Sequence, residues 1–102
     1  MMQFIYQIQP VRPAMLLDSL PEEDEAVQAH FLYLQRLTEL GVVQLAGRTL
    51  TTDSRSFGIV IFEAESEAAA AEIVQNDPAV QKRIMRAELF PFRVALQRNL
   101  SG

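Results

Sequence analysis

The residue in this chain best suited to chemistry is its single histidine, His30. A free imidazole titrates near pH ~6.5, so modest changes of environment leave it able to take or give a proton at neutral pH. On a 3.6-residue wheel His30 lies within about 60° of Ala26, Val27, Tyr33, Leu34 and Leu37, near the middle of an apolar stripe. Two explanations stand side by side: a hydrogen-bonded core histidine, or an acid–base group at the end of a pocket. Arg12, Arg48, Arg55 and Arg93 are candidate partners for an anionic or phenolate substrate, because guanidinium pairs well with oxygen anions. Arg93 stands out, since strand alternation sets it with Leu89 and away from Phe90 and Phe92. Each arginine singly is also explained as a surface or interface ion pair. Tyr6 and Tyr33 are core or interface aromatics whose hydroxyls become useful if they reach a cavity.

Other chemistries are excluded or disfavoured. Without cysteine there are no disulfides, thiolate metal ligands or thiol nucleophiles, and one histidine does not support a zinc site of the usual kind. No nucleophile elbow is present, and the expectation is chemistry without a metal or cofactor. A net charge of -4 with a single lysine, Lys82, argues against nucleic-acid binding, which needs a clustered cationic surface. Residues 1–9 alternate and do not form a signal peptide, and nothing approaches the run of about 18 apolar residues that spans a membrane. A cytoplasmic protein is expected.

The elements that must position His30 follow from the pattern. The length of 102 residues fits one domain over residues 1–102. Met2, Phe4, Tyr6 and Ile8 alternate with Gln3, Ile5, Gln7 and Gln9, which predicts a half-buried strand whose glutamine face either meets solvent or walls a polar cavity. Pro10 and Pro13 end it. Met15, Leu16 and Leu17 in the loop that follows pack on the core, over a pocket mouth or on a partner. Ser19 with Glu22 forms a predicted capping box for a helix running to about Leu40, stopped by Gly41. Val42–Leu50 follows as a strand in which Gly47 marks either a bulge or a close approach of backbone or ligand.

Phe57–Ala64 reads as a strand that is apolar on both faces and so needs cover on both. Ser66 caps a second helix through about Gln75, and Asp77-Pro78 reads as an N-cap with proline at the first helical position of a short turn. A last strand lies within Ile84–Leu96, with Pro91 requiring an edge or a bulge. The order β-α-β-β-α-β predicts an α+β, ferredoxin-like antiparallel sheet with both helices on one side. The composition is 49% hydrophobic with a mean hydropathy of +0.06, so the open sheet face calls for a homodimer.

Several segments together resemble the YciI-like, or YCII-related, family: FIYQIQPVRPAML, HFLYLQRLTELGVVQLAGR, GIVIFEAESE, and NDPAV followed by ELFPFR. The resemblance covers nearly the whole chain. It implies a dimeric α+β barrel built from two ferredoxin-like sheets, and a site centred on a histidine and an aspartate. The matching positions are His30 and Asp77, with Gly47 matching the strand glycine near the pocket. An aspartate so placed would orient the imidazole through a ring N–H and stabilise its protonated form. The resemblance implies a small-molecule site more than any one chemistry; together with the buried-face His30 it leads to the expectation of a cofactor-independent lyase or isomerase, and the alternative is a dimeric metabolite-binding module using the same pocket. Expected substrate contacts are Gly47, Arg93, Tyr6 and Arg12.

Overall fold

The alternating start of the chain forms β1 (Met2–Pro10) in a computed structural model that describes residues 1–98. Phe4, Tyr6, Ile8 and Pro10 are buried on one face, and Gln3, Ile5, Gln7 and Gln9 are half-buried on the other. A 3-10 turn at Pro13–Leu16 leads to α1 (Pro21–Glu39), β2 (Val43–Arg48), β3 (Gly58–Ala64), α2 (Glu67–Gln75), the one-turn helix α3 (Pro78–Gln81) and β4 (Met85–Pro91). The sheet order is β2-β3-β1-β4 with every neighbour antiparallel, which is the expected ferredoxin-like arrangement. Leu34 of α1 and Ala70 and Val74 of α2 meet Phe4, Tyr6, Val60 and Phe62 in one cluster, so both helices cover the same face. Phe62 is fully buried, with its ring centroid 5.8 Å from that of Phe4 and 5.8 Å from that of Tyr6.

The start of α1 differs from the expectation. Its N-cap is Leu20, not Ser19, and the Leu20 backbone N–H donates to Glu23 Oε1 at 2.8 Å, so Glu23 takes the part foreseen for Glu22. Pro21 explains the shift: proline favours the first helical position and holds the residue before it extended, which sets the cap at residue 20. Ser19 Oγ donates instead to Asp24 Oδ1 at 2.6 Å. The other end closes as predicted. Gly41 has a φ of 79°, its N–H donates to Thr38 O at 3.0 Å, and Val42 N–H donates to Leu37 O at 2.8 Å, a Schellman closure that turns the chain directly into β2. Ser66 Oγ accepts from Ala69 N–H at 3.1 Å at the start of α2.

The register shift in β2 lies between Val43 and Leu45, so Gly47 marks no bulge. On the glutamine face of β1, the side away from the helices, Gln3 Nε2 donates to Gln44 Oε1 at 3.2 Å, and Gln3 Oε1 accepts from Val94 N–H at 3.1 Å. On that same side the register sets Ile5 opposite Ile61 and Phe90, and Ile61 opposite Leu45. Pro91 ends β4, an edge strand, where its missing N–H costs no ladder bond. Among the described residues no helix is long and apolar enough to cross a membrane.

Candidate active site

The apolar stripe of α1 turns His30 toward the sheet, where its side chain is 12% exposed. Its Nδ1 lies 2.8 Å from Asp77 Oδ1 and 2.7 Å from Asp77 Oδ2. A carboxylate accepts and does not donate, so geometry assigns the proton to Nδ1 and leaves Nε2 as the ring atom available to the cavity.

Asp77 is fully buried. It caps α3 by accepting from Ala79 N–H at 3.0 Å on Oδ1, while Oδ2 accepts from the Tyr6 hydroxyl at 2.8 Å. The N-cap and the imidazole partner are therefore one side chain. Tyr6 reaches it because β1 alternation points the ring inward between Phe4 and Ile8. Burial, then the charge and hydrogen bond of Asp77, hold the Tyr6 phenol far above the usual range, so it stays a donor. The Tyr33 phenol is pushed up to about 12 by burial and by the same charge, and its hydroxyl donates to Ile73 O at 2.7 Å.

His30 forms part of the wall of a cavity of about 650 Å³ between α1 and the β2–β3 hairpin. Ile8, Val27, Phe31, Leu34, Phe57 and Val60 make most of the surface apolar, with Arg48, Ser56 and Glu39 among the polar groups. A volume in this range suits a small organic ligand held by apolar walls and oriented by a few polar atoms. Gly58 is the glycine that close packing requires: a Cβ there would lie 3.1 Å from Ile8 Cγ1 and 3.2 Å from Gly47 O. Gly47 also lines the cavity, yet a Cβ at Gly47 would meet nothing within 4 Å.

Of the residues singled out in the sequence, His30, Gly47 and Arg48 reach the cavity, and Asp77 and Tyr6 lie behind the imidazole. Tyr6 is fully buried and forms no part of that cavity's wall. Arg12 is committed elsewhere, bonding Glu23 through Nε at 2.9 Å and through Nη2 at 2.6 Å, and donating to Asp18 O at 2.8 Å. It ties the loop after β1 to the first turn of α1. Arg93 is exposed beyond the end of β4 and forms no part of the cavity wall. The arginine that does line it is Arg48, which has no carboxylate within 4.0 Å among the described residues. Its face follows from the register shift in β2: Ala46 pairs with Val60 and Arg48 with Gly58, so both side chains belong to the helix-facing side, whereas period two counted from Val43 would have set Leu45 and Gly47 there. Ser56, in a turn with no periodic pattern, carried no sequence signal. Among the described residues no group of three or more His, Asp or Glu side chains is placed to hold a metal ion.

A sequence model of the YCII-related domain matches residues 2–93. No curated protein matches the chain. Among solved structures, the 5-chloro-2-hydroxyhydroquinone dehydrochlorinase of Burkholderia phenoliruptrix AC1100, in complex with 2,5-dihydroxybenzoquinone, is 25% identical with a TM-score of 0.68, over 90% of this chain and 94% of that one. A muconolactone isomerase is 17% identical with a TM-score of 0.64, over 99% and 94%, a likeness of fold.

Proposed function

The chain belongs to the YCII-related domain family, and from that membership and the site geometry we propose a cofactor-independent enzyme of lyase or isomerase type acting on small oxygenated cyclic molecules. The observation that carries the reading is an imidazole with one nitrogen held by a buried carboxylate and the other left to an apolar cavity. His30 Nε2 takes a proton from a carbon next to a carbonyl or enol, and Asp77 stabilises the imidazolium that forms. In an isomerisation the proton returns to a different carbon. In an elimination the electron pair freed at carbon expels an anion from the neighbouring carbon. Arg48 replaces Arg93 and Arg12 as the cation that pairs with the substrate's oxygen anion.

The dehydrochlorinase and its bound quinone suggest concrete probes. With 5-chloro-2-hydroxyhydroquinone as substrate, the parent protein releases chloride. His30→Ala lowers that rate by about a hundredfold or more, the usual scale for general acid–base catalysis, and keeps its affinity for 2,5-dihydroxybenzoquinone. Full turnover in His30→Ala would reject the acid–base role, and binding without turnover in the parent would favour a metabolite-binding module. The sheet face bearing Ile5, Leu45, Ile59, Ile61 and Phe90 is covered in this reading by a second copy of the chain, giving a homodimer.

A further inference from the structure

We propose that Tyr6 is a positioning residue for His30 that acts through Asp77, its phenol sharing the charge of the buried carboxylate so that the imidazole can release a proton as well as hold one. The inference rests on His30 being the acid–base group of the site.

A carboxylate removed from water and facing only an imidazole favours a permanent imidazolium, because the attraction between the two charges is poorly screened in the interior. A permanent imidazolium cannot act as a base. Asp77 is fully buried, and no Lys or Arg lies within 4.0 Å of it among the described residues. Its neutral donors are the Tyr6 hydroxyl at 2.8 Å from β1 and Ala79 N–H at 3.0 Å from the start of α3. The titratable groups facing it are Tyr6 from β1 and His30 and Tyr33 from α1, and the Tyr33 hydroxyl is spent on Ile73 O at 2.7 Å. Among the described residues Tyr6 is thus the one side-chain donor, besides the imidazole, bonded to that charge. It also contacts Oδ2, the oxygen nearer to Nδ1 at 2.7 Å, so it competes directly for the electron density that binds the imidazole N–H. A phenylalanine would fill the same space among Phe4, Ile8 and Phe62, so the hydroxyl is not required for packing.

The chain's one histidine makes the test a single-residue spectrum. The imidazole titration is followed by NMR, without substrate, in the parent and in Tyr6→Phe. Losing the phenol donor concentrates charge on Asp77, so the His30 midpoint moves to higher pH in the variant. A second arm strengthens the donor. In a Tyr33→Phe background Tyr6 is the only tyrosine, and replacing it with 3-fluorotyrosine, a more acidic phenol, moves the midpoint to lower pH than in the unfluorinated background. Opposite shifts in the two arms support the proposal. Midpoints that stay put, or move in the same direction, overturn it and leave Tyr6 a packing residue. The titration needs no turnover. Opposite shifts together with full turnover in His30→Ala would therefore sink the acid–base reading while leaving the Tyr6–Asp77–His30 coupling intact.

Discussion

Replacing Asp77 separates its architectural role from its role at the imidazole, because two substitutions remove different parts of it. Asp77→Ala deletes the α3 cap, at a cost of about 1 kcal/mol, and strands the buried Tyr6 hydroxyl, at a further cost of about 1–3 kcal/mol. The exposed fraction of His30 lets water replace part of its lost bond, so the expected total is about 2–4 kcal/mol. Asp77→Asn keeps the cap on its one carbonyl oxygen and sets its NH2 where Oδ2 stood, so the Tyr6 hydroxyl turns from donor to acceptor, at a cost of about 1 kcal/mol. Its amide NH2 must then face Nδ1, which can only accept if the ring proton moves to Nε2. Nitrogen-15 NMR of the single histidine reads that tautomer directly, and urea unfolding reads the two stabilities. The Asn variant should be nearly as stable as the parent with its proton on Nε2, and turnover should fall by about a thousandfold or more, as when a tautomer-fixing carboxylate becomes an amide. An Asn variant that keeps the Nδ1–H tautomer, or that loses as much stability as Ala, would refute the reasoning.

Gly58→Ala should destabilise by about 1–3 kcal/mol through overpacking against Ile8 and the Gly47 carbonyl, whereas Gly47→Ala should change urea stability by less than about 1 kcal/mol, since open space awaits its Cβ. The Arg12 and Leu20 hydrogen bonds hold the Glu23 carboxyl below its ordinary value of 4.5, so this clamp contributes stability above about pH 4.5 and loses it as pH falls through the lowered folded-state value. The difference in urea midpoint between the parent and Glu23→Gln should accordingly be constant near neutral pH and shrink in acid. If the proposed homodimer forms through the open sheet face, Ile61→Lys there should shift the mass in light scattering from that of a dimer to that of a monomer; an unchanged mass would reject this face as the interface.

Alternation, glycine stops and proline positions made the element order readable, because each is a local steric or burial signal. The Gly41 closure and the Ser66 and Asp77 caps sit where those signals put them. The start of α1 slipped by one residue because Pro21 outweighed the hydroxyl of Ser19. His30 was legible from helical period, and Asp77 only through family resemblance, since nothing local relates two residues 47 positions apart. Which arginine lines the cavity was not legible for a different reason. Arg12 is drawn to Glu23 by a contact between separate elements, and Arg93 lies past the end of its strand, so alternation there had no sheet to refer to. Tyr6 was expected at the substrate and lies behind the imidazole, because period two gives the side a residue faces and not its depth.

The claim at the centre is that His30 Nε2 meets the ligand while Nδ1 stays on Asp77. The most direct measurement is the nitrogen-15 spectrum of His30 during titration with 2,5-dihydroxybenzoquinone. The predicted result is a saturable shift of the Nε2 resonance with the Nδ1 proton retained. An imidazole unmoved at saturating quinone, or a free protein whose proton already sits on Nε2, would contradict the account.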